Sequence, residues 1–546
     1  MARSSACLVL ILFAMAFPAS GGEGNRYMVF FKDKSGSAYS LESPEEFLSK
    51  KALERRSTQN IKVNSSDLPV SSLYVRALNE LDGVDVYFTT KWMNGVLVET
   101  EETVLEDIST LPFVDTIEYV APGQQLNASG ANGRNSKPVG NNRFSEAAAE
   151  SSAQNEFIGV GEMHELGFKG EGMTIAIFDS GFKLVNESPY YAHLFQNDKI
   201  GGTRDFIKNS DNVFQYDSHG AKVISCISAF EEDVYAGTAP EANIVFCVTE
   251  DVGGEYRIEE YNWLFAAEYA DSIGVDIISS SVGYSYFNDE SMDYTYEDFD
   301  GKTTVITKAA TQAASKGMLV VNSIGNEGNS SWTYLNAPAD ADSILSVGSV
   351  TYDGIKSGFS SFGPTSDGRV KPEVSALGSW ARVVYGDEIA YANGTSFSTP
   401  MVAGLAAGFW QAFPDFTNME VIEYLKMTAS QANNPDTVIG FGIPNFMSAY
   451  NQARINEGEI ENKFVVYPNP VTNRRIVYLH SESLEEIATA NLAFYDLKGG
   501  QISSQQIPLE SQRELLEIDV SFLSPGTYIL NYVAGSEKQK IKLVVL

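Results

Sequence analysis

An α/β domain with a mostly parallel sheet flanked by helices, preceded by a small α+β unit and followed by a β-sandwich, is the fold class this 546-residue chain predicts. Three observations predict it. Between about Phe157 and Tyr450, short apolar runs without alternation, as expected of strands buried on both faces, are separated by helical segments. After Phe464 apolar and polar residues alternate in short runs divided by Gly and Pro turns. Pro122 to Ala153, rich in Gly, Asn, Ser and Ala and without periodic apolar residues, reads as an exposed linker between an N-terminal unit and the central one.

Composition narrows the function. With 38 Lys and Arg against 71 Asp and Glu, the net charge of −33 makes a nucleic-acid partner untenable. Charged residues at 20% and hydrophobic ones at 43% are ordinary for a globular chain, long enough for about three or four domains. Arg3, an apolar stretch from Ala6 to Ala19 and then Ser20, Gly21 and Gly22 have the layout of a secretory signal over 1–22. Cys7 lies at the front of the apolar stretch and not behind it, which argues against a lipoprotein anchor. Without the signal only Cys226 and Cys247 remain, so the core does not depend on a disulfide framework; a bond between these two stays open.

In the N-terminal unit, 23–121, Tyr27–Phe31 and Val84–Phe88 read as strands, and Pro44–Arg56 as a helix capped by Ser43. A strand over Gly95–Glu99, a helix over Glu102–Leu111 and a strand over Val114–Val120 complete a small sandwich. Lys50, Lys51, Arg55 and Arg56 on the first helix are expected to form a solvated face. Across the linker, 122–156, the central domain at 157–455 has buried strands at Thr174–Phe178, Asn243–Val248, Asp276–Ser280, Met318–Val321 and Ile344–Val347. Helices at Ala221–Ala229, Glu259–Asp271, Lys308–Lys316 and Thr399–Phe413 separate several of them. A second seam near Asn451 to Asn462 precedes the C-terminal unit, 463–546.

Active sites of such sheets lie at the carboxyl ends of strands, and three places there carry chemistry. Asp179-Ser180-Gly181 follows the strand ending at Phe178, and His219-Gly220 opens a helix. Gly394-Thr395-Ser396-Phe397-Ser398-Thr399-Pro400 opens a helix of small residues, where backbone N–H groups and the positive dipole end favour an oxyanion. Singly, each residue has a plain structural role: a turn carboxylate, a capping histidine, a serine N-cap. Together they supply a nucleophile, a proton acceptor and a carboxylate to fix the imidazole tautomer. Asn326 adds a side-chain N–H₂ able to donate to a developing oxyanion.

In these motifs the chain resembles the subtilisin-like serine peptidases. Asp179-Ser180-Gly181, His219-Gly220, Ser281-Val282-Gly283, Gly325-Asn326 and the Gly394–Pro400 segment match that family's motifs in order over almost all of the central region. The resemblance implies Asp179, His219 and Ser396 as triad, and Asn326 with the Ser396 N–H as oxyanion hole. It also implies substrate binding by Ser281, Val282, Gly283, Ile324 and Gly325. Val282 stands where the family commonly has Leu, and Ile324 where it has a small residue, so the size of the primary specificity pocket stays open. The related sedolisin pattern has Glu as base and Asp as oxyanion donor, which His219 and Asn326 argue against. A silent scaffold used for surface binding would not need the whole constellation.

Residues 25 to 120 resemble the inhibitor-type propeptide of the same family, with Phe47–Arg56 as one of its marks. Residues 463 to 546 resemble the C-terminal sorting domain of the Bacteroidetes type IX secretion pathway. Its marks are Tyr467-Pro468-Asn469-Pro470-Val471, Phe494–Gly500, Ser524–Tyr528 and the basic-apolar end Lys538–Leu546. The resemblances imply a secreted or surface-attached serine endopeptidase made as a zymogen and exported through the periplasm. Its partners would be protein or peptide substrates, its own propeptide and outer-membrane secretion machinery. No cofactor is required. Calcium, which the family often binds, is allowed for but placed on no residues: the acidic insertion with Asp289, Glu290, Asp293, Glu297, Asp298 and Asp300 follows no fixed loop pattern and reads as a solvated surface loop. His164, His193 and His480 are too scattered for zinc, so no metal ligand is assigned.

Overall fold

The computed structural model describes residues 24–123 and 153–457 and, beyond them, 465–467, 469, 471, 476–480, 489–508, 515–535 and 537–545. The signal segment at 1–22, linker residues 124–152 and the start of the C-terminal unit before 465 lie outside the described residues.

The N-terminal unit runs β1 (Asn25–Phe31), α1 (Lys50–Thr58), α2 (Ser72–Asn79), β2 (Val84–Thr90), β3 (Gly95–Thr100), α3 (Leu105–Thr110) and β4 (Val114–Ala121). Its strands form an antiparallel sheet in the order β2-β3-β1-β4. Because side chains alternate along a strand, the sheet serves two cores. Val29, Val96 and Val98 pack with Leu78 of α2 and Ile108 of α3 inside the unit. Met28, Leu97 and Val120 point the other way, into the core of the central domain.

Two expectations fail here. The helix expected over Pro44–Arg56 is a 3₁₀ turn at Pro44–Glu46 followed by α1, and the cap is Ser49, whose side chain accepts the Ala52 N–H; Ser43 makes no such bond. The basic face is not solvated: Arg55 and Arg56 are buried against the central domain, Lys51 pairs with Asp276 at 2.6 Å, and only Lys50 is left outside, beside Glu54. Asp271 and Asp276, the carboxylates that Arg55, Arg56 and Lys51 meet in the central domain, lie more than 200 positions away in sequence, beyond the reach of any local pattern.

The central domain runs α4 (Val160–Glu165), β5 (Thr174–Asp179), α5 (Ala192–Gln196), β6 (Ile200–Asp205), α6 (His219–Ser228), the short pair β7 (Phe230–Glu231) and β8 (Tyr235–Ala236), β9 (Asn243–Val248), α7 (Ile258–Ile273), β10 (Ile277–Ser280), α8 (Val305–Ser315), β11 (Leu319–Ser323), β12 (Leu345–Val350) and β13 (Val374–Leu377). After the hairpin β14 (Ala381–Tyr385) and β15 (Glu388–Ala392) come α9 (Thr395–Ala412), α10 (Asn418–Met427) and α11 (Phe446–Asn456). Seven strands form one sheet in the order β13-β12-β11-β10-β5-β9-β6, every pair parallel. Its two edge strands escaped the sequence reading: β6 carries two glycines and a charged end, and β13 is only four residues long.

One face of this sheet packs on α6 and α9 and the other on α7 and α8. That layering decides the cysteines. Cys226 of α6 belongs to the first core, whereas Cys247, following Phe246 on β9, turns to the second, so the sheet separates them and both thiols are free. Burial pushes the Cys226 thiol up to about 12. The core helix α9 owes its fit to small residues: a Cβ on Gly404 would lie 1.9 Å from Thr238 Oγ1, and one on Gly408 2.3 Å from Met163 Sδ.

The C-terminal strands are β16 (Val465–Tyr467), β17 (Ile476–His480), β18 (Thr489–Asp496), β19 (Gln501–Pro508), β20 (Leu515–Asp519), β21 (Gly526–Ala534) and β22 (Glu537–Val545). They form two sheets, β16-β17-β20 and β19-β18-β21-β22, around Val477, Leu479, Leu492, Phe494, Leu530, Tyr532 and Leu543. The turn at Lys498–Gly500 is closed by Asp496, whose carboxylate accepts the N–H groups of Lys498 and Gly500.

Candidate active site

Asp179 is the last residue of β5, and the chain can leave the sheet there because Gly181 adopts φ +146°, with no room for a Cβ against the Gln215 carbonyl. The Asp179 side chain is 1% exposed. Its Oδ1 accepts hydrogen bonds from the Ser180 N–H at 2.7 Å and from the Ser180 hydroxyl at 3.1 Å.

His219 is the first residue of α6, its N–H bound by the Asp217 carboxylate at 2.7 Å. Its Nδ1 lies 2.8 Å from Asp179 Oδ1 and 3.0 Å from Oδ2. Gly220 makes the approach possible, since a Cβ there would lie 2.5 Å from the Gly181 carbonyl and 3.0 Å from Asp179 Cβ. Burial disfavours the imidazolium, but the Asp179 charge and hydrogen bond outweigh it and raise the His219 pKa above its ordinary value. Bound this way, Nδ1 carries the proton and Nε2 is left as the basic atom.

Ser396 sits in the first turn of α9, 5% exposed. The neighbouring Phe397 ring packs against the His219 imidazole at 6.0 Å between centroids. Among the described residues no hydrogen bond joins His219 to the Ser396 hydroxyl, as is common before a substrate tightens such a site. Pro400, four positions on, has no N–H to give the Ser396 carbonyl, and the Ser281 hydroxyl donates to that carbonyl instead at 3.0 Å. One substitution in the helix thus ties the segment after β10 to the helix carrying Ser396.

Asn326 is exposed. Its Oδ1 accepts from the Thr395 N–H at 2.9 Å and the Thr395 hydroxyl at 3.0 Å, which directs its N–H₂ group away, as a donor. Thr395 was not singled out from the sequence, although its place beside Ser396 could have marked it. Ser281-Val282-Gly283 extends β10 along the edge of the site, its Val282 carbonyl held by Asn322 Nδ2 at 3.1 Å. Asn322 too escaped the sequence reading. Gly325 adopts φ +109°, and its carbonyl accepts the Ser361 N–H at 3.0 Å. Ile324 is fully buried in the core shared with α7 and α8, so its bulk is spent there.

The acidic insertion puts its carboxylates on backbone: Asp289 on Ser291, Asp293 on Phe287, Asp298 on Thr295, Asp300 on Thr303. Among the described residues no three His, Cys, Asp or Glu side chains gather as a metal site would need.

The constellation predicts a measurable pH response. A base must be neutral to accept a proton, and the His219 pKa is raised, so with His219 as base activity is expected to fall as pH drops through a value above the ordinary ~6.5 of histidine. The acid limb of the kcat/KM profile is expected there, and Asp179→Asn should move it lower. A limb unchanged in that variant would detach His219 from the rate.

Comparison with known proteins bears on the family. Residues 170–442 match the model of the Subtilase family, residues 26–138 that of a Peptidase S8 propeptide domain from Bacteroidota, and residues 465–546 that of a Secretion system C-terminal sorting domain. Subtilisin NAT of Bacillus subtilis subsp. natto is 30% identical over 293 residues, covering 53% of this chain and 68% of that one. The subtilisin of Bacillus pumilus is 30% identical over 274 residues, 49% of this chain and 87% of its own. M-protease of Shouchella clausii is 24% identical over 376 residues, 69% and 84% of the two chains. The match of the central sheet and its loops, with a family propeptide before it and a secretion sorting domain after it, makes this chain a member of the subtilase family, a subtilisin-like serine endopeptidase made with a propeptide.

Proposed function

We propose that Asp179, His219 and Ser396 are the catalytic triad and that the enzyme cleaves protein or peptide substrates outside the cell. The observation that carries it is the contact of His219 Nδ1 with the buried Asp179 carboxylate at 2.8 Å. In the first step the Ser396 hydroxyl attacks the scissile carbonyl and its proton passes to His219 Nε2. Collapse of the tetrahedral intermediate breaks the C–N bond, and His219 returns the proton to the leaving amine. Water, deprotonated by the same nitrogen, then attacks the acyl-enzyme and releases the acid and the free serine. The negative oxygen of each intermediate is met by the Asn326 N–H₂ and the Ser396 N–H, while Ser281, Val282, Gly283 and Gly325 hold the substrate; Ile324, expected among them, is fully buried and backs Gly325 from the core. No cofactor takes part in these steps; calcium would act on stability, at residues not assigned.

The N-terminal unit, 23–121, is proposed to act as inhibitor until the linker at 122–156 is cut and the unit removed. The C-terminal unit, 463–546, is proposed to hand the chain to outer-membrane secretion machinery, leaving the enzyme released or held on the cell surface. A fluorophosphonate probe tests the central assignment: after activation the label should map to the peptide holding Ser396. Labelling elsewhere, or none in an active preparation, would overturn it. Asn326→Ala should reduce kcat by about 10² to 10³ with KM little changed, because its donor matters mainly once the oxyanion forms.

A further inference from the structure

The segments Ser281-Val282-Gly283 and Ile324-Gly325 come together at one residue outside both. Asn336 donates its backbone N–H to the Ile324 carbonyl at 3.1 Å, and its own carbonyl accepts the Ala339 N–H at 2.9 Å. Its neighbour Ala337 exchanges two backbone hydrogen bonds, at 2.9 and 3.1 Å, with Tyr284, the residue directly after Gly283. Asn336 therefore spans the gap between the two segments, with its main chain fully used. The glycines face it. A Cβ on Gly283 would lie 3.1 Å from Asn336 Cβ, and one on Gly325 3.1 Å from Asn336 Nδ2 and 3.2 Å from its Cγ, so the asparagine side chain is in contact with both backbones.

The carboxamide is left over. Asn336 is 8% exposed, and among the described residues no group reaches its buried Oδ1. A buried polar atom without a partner is costly, and a ligand group that pairs with it recovers that cost. The order of the chain says which group arrives. With Asn326 meeting the oxygen of the attacked carbonyl and Gly325 directly before it, the side chain of the residue that carries this carbonyl enters between Gly325 and Gly283 and ends toward Asn336. A half-turn of the Asn336 carboxamide exchanges its oxygen and nitrogen, so the unpaired atom is an acceptor in one orientation and a donor in the other. A carboxamide on the substrate answers both, because it carries an acceptor and a donor side by side. An ammonium or guanidinium only donates. A carboxylate only accepts, and it would approach a chain of net charge −33.

We propose that Asn336 is the floor of the primary specificity pocket and selects a residue with a carboxamide side chain, Asn or Gln, on the acyl side of the cut. The two carboxamides pair once the bound substrate has excluded water. An apolar side chain of the same shape leaves the Asn336 oxygen unpaired in the complex, and a site built to hydrogen-bond its substrate rejects such an analogue strongly. Asn336 takes no part in proton transfer; it sets which bond is cut. The selection rests on the reading of Ser396 as nucleophile and of Gly283 and Gly325 as the walls that hold substrate.

After activation the enzyme is given peptides that differ only at that residue, in two pairs of similar shape, Gln against Met and Asn against Leu. In at least one pair kcat/KM should favour the carboxamide by tenfold or more. Asn336→Leu, which keeps the volume of the side chain but removes both polar atoms, should lower that ratio at least fivefold, by a gain on the apolar peptide as well as a loss on its partner. Should Asn336→Leu not fold, Asn336→Ala is expected to lower it by as much. A ratio below tenfold in both pairs for the unaltered enzyme, or a fall of less than fivefold in a folded variant, overturns the proposal. Each ratio compares two substrates of one enzyme, and fluorophosphonate labelling of the same preparation keeps the two readings apart. A label away from Ser396 fails the triad, whereas a label on Ser396 with a flat ratio fails the floor alone.

Discussion

Ser396→Ala and His219→Ala should each reduce turnover of a peptide substrate by roughly 10⁶, the scale these losses have in subtilisin itself. The reason is mutual dependence. A serine hydroxyl is a poor nucleophile at neutral pH, and an imidazole without a nucleophile to relieve of its proton does nothing. The Asp179 carboxylate, buried and bound to Nδ1, fixes the tautomer that leaves Nε2 basic. Acting as a unit, the residues should not be additive, and Ser396→Ala/His219→Ala should be little slower than either single variant. Residual hydrolysis, some 10³ to 10⁴ above water, would come from Asn326, the Ser396 N–H and substrate binding. Kinetics on the purified mature form decide it: a Ser396→Ala enzyme with more than a tenth of the activity of the unaltered enzyme would exclude the mechanism. Both variants should be made in chains whose propeptide is removed by an added protease, since neither can activate itself.

Truncation after about residue 462 should abolish export while leaving hydrolysis nearly untouched. The C-terminal unit has its own core, built from Val477, Leu492, Phe494, Leu530 and Leu543, and contributes none of Asp179, His219, Asn326 or Ser396. Among the described residues its ion pairs with the central domain are those of Lys542, which reaches Glu162 at 2.7 Å and Glu156 at 3.7 Å; all three side chains are part-exposed, and such pairs contribute about 0 to 1 kcal/mol. In a Bacteroidetes-type host the truncated protein is expected to collect in the periplasm, whereas the full chain reaches the medium or cell surface. Activity assays on each cell fraction report both halves. Normal extracellular yield of the truncated form would remove the sorting role, and an inactive purified form would show that the unit supports the catalytic core.

The residues of the proposed site were legible because their chemistry is written into short local segments. Asp179 ends an apolar strand, His219 opens a helix, and Ser396 opens a helix too rich in Ala and Gly to lie anywhere but in a core. The strands of the central sheet were legible for a related reason: burial on both faces removes polar residues from the whole run, which leaves a mark needing no knowledge of neighbours. Edge strands such as β6 lack that mark, because only one side of them is paired.

What the sequence alone determined, then, was the order of the units, the central α/β architecture and the residue types gathered at the carboxyl ends of its strands. Tertiary structure alone decided who meets whom. Cys226 and Cys247 lie on elements close in the chain, yet the alternation of side chains along β9 puts the sheet between them. Arg55 and Arg56 are the sharper case, for a charged helix face is ordinarily left in water, and nothing within the helix says otherwise. Their burial becomes favourable only when folding brings Asp271 and the bare carbonyls ending α7 and α8 against them, because charges leave water only where opposite charges and hydrogen-bond acceptors are already in place.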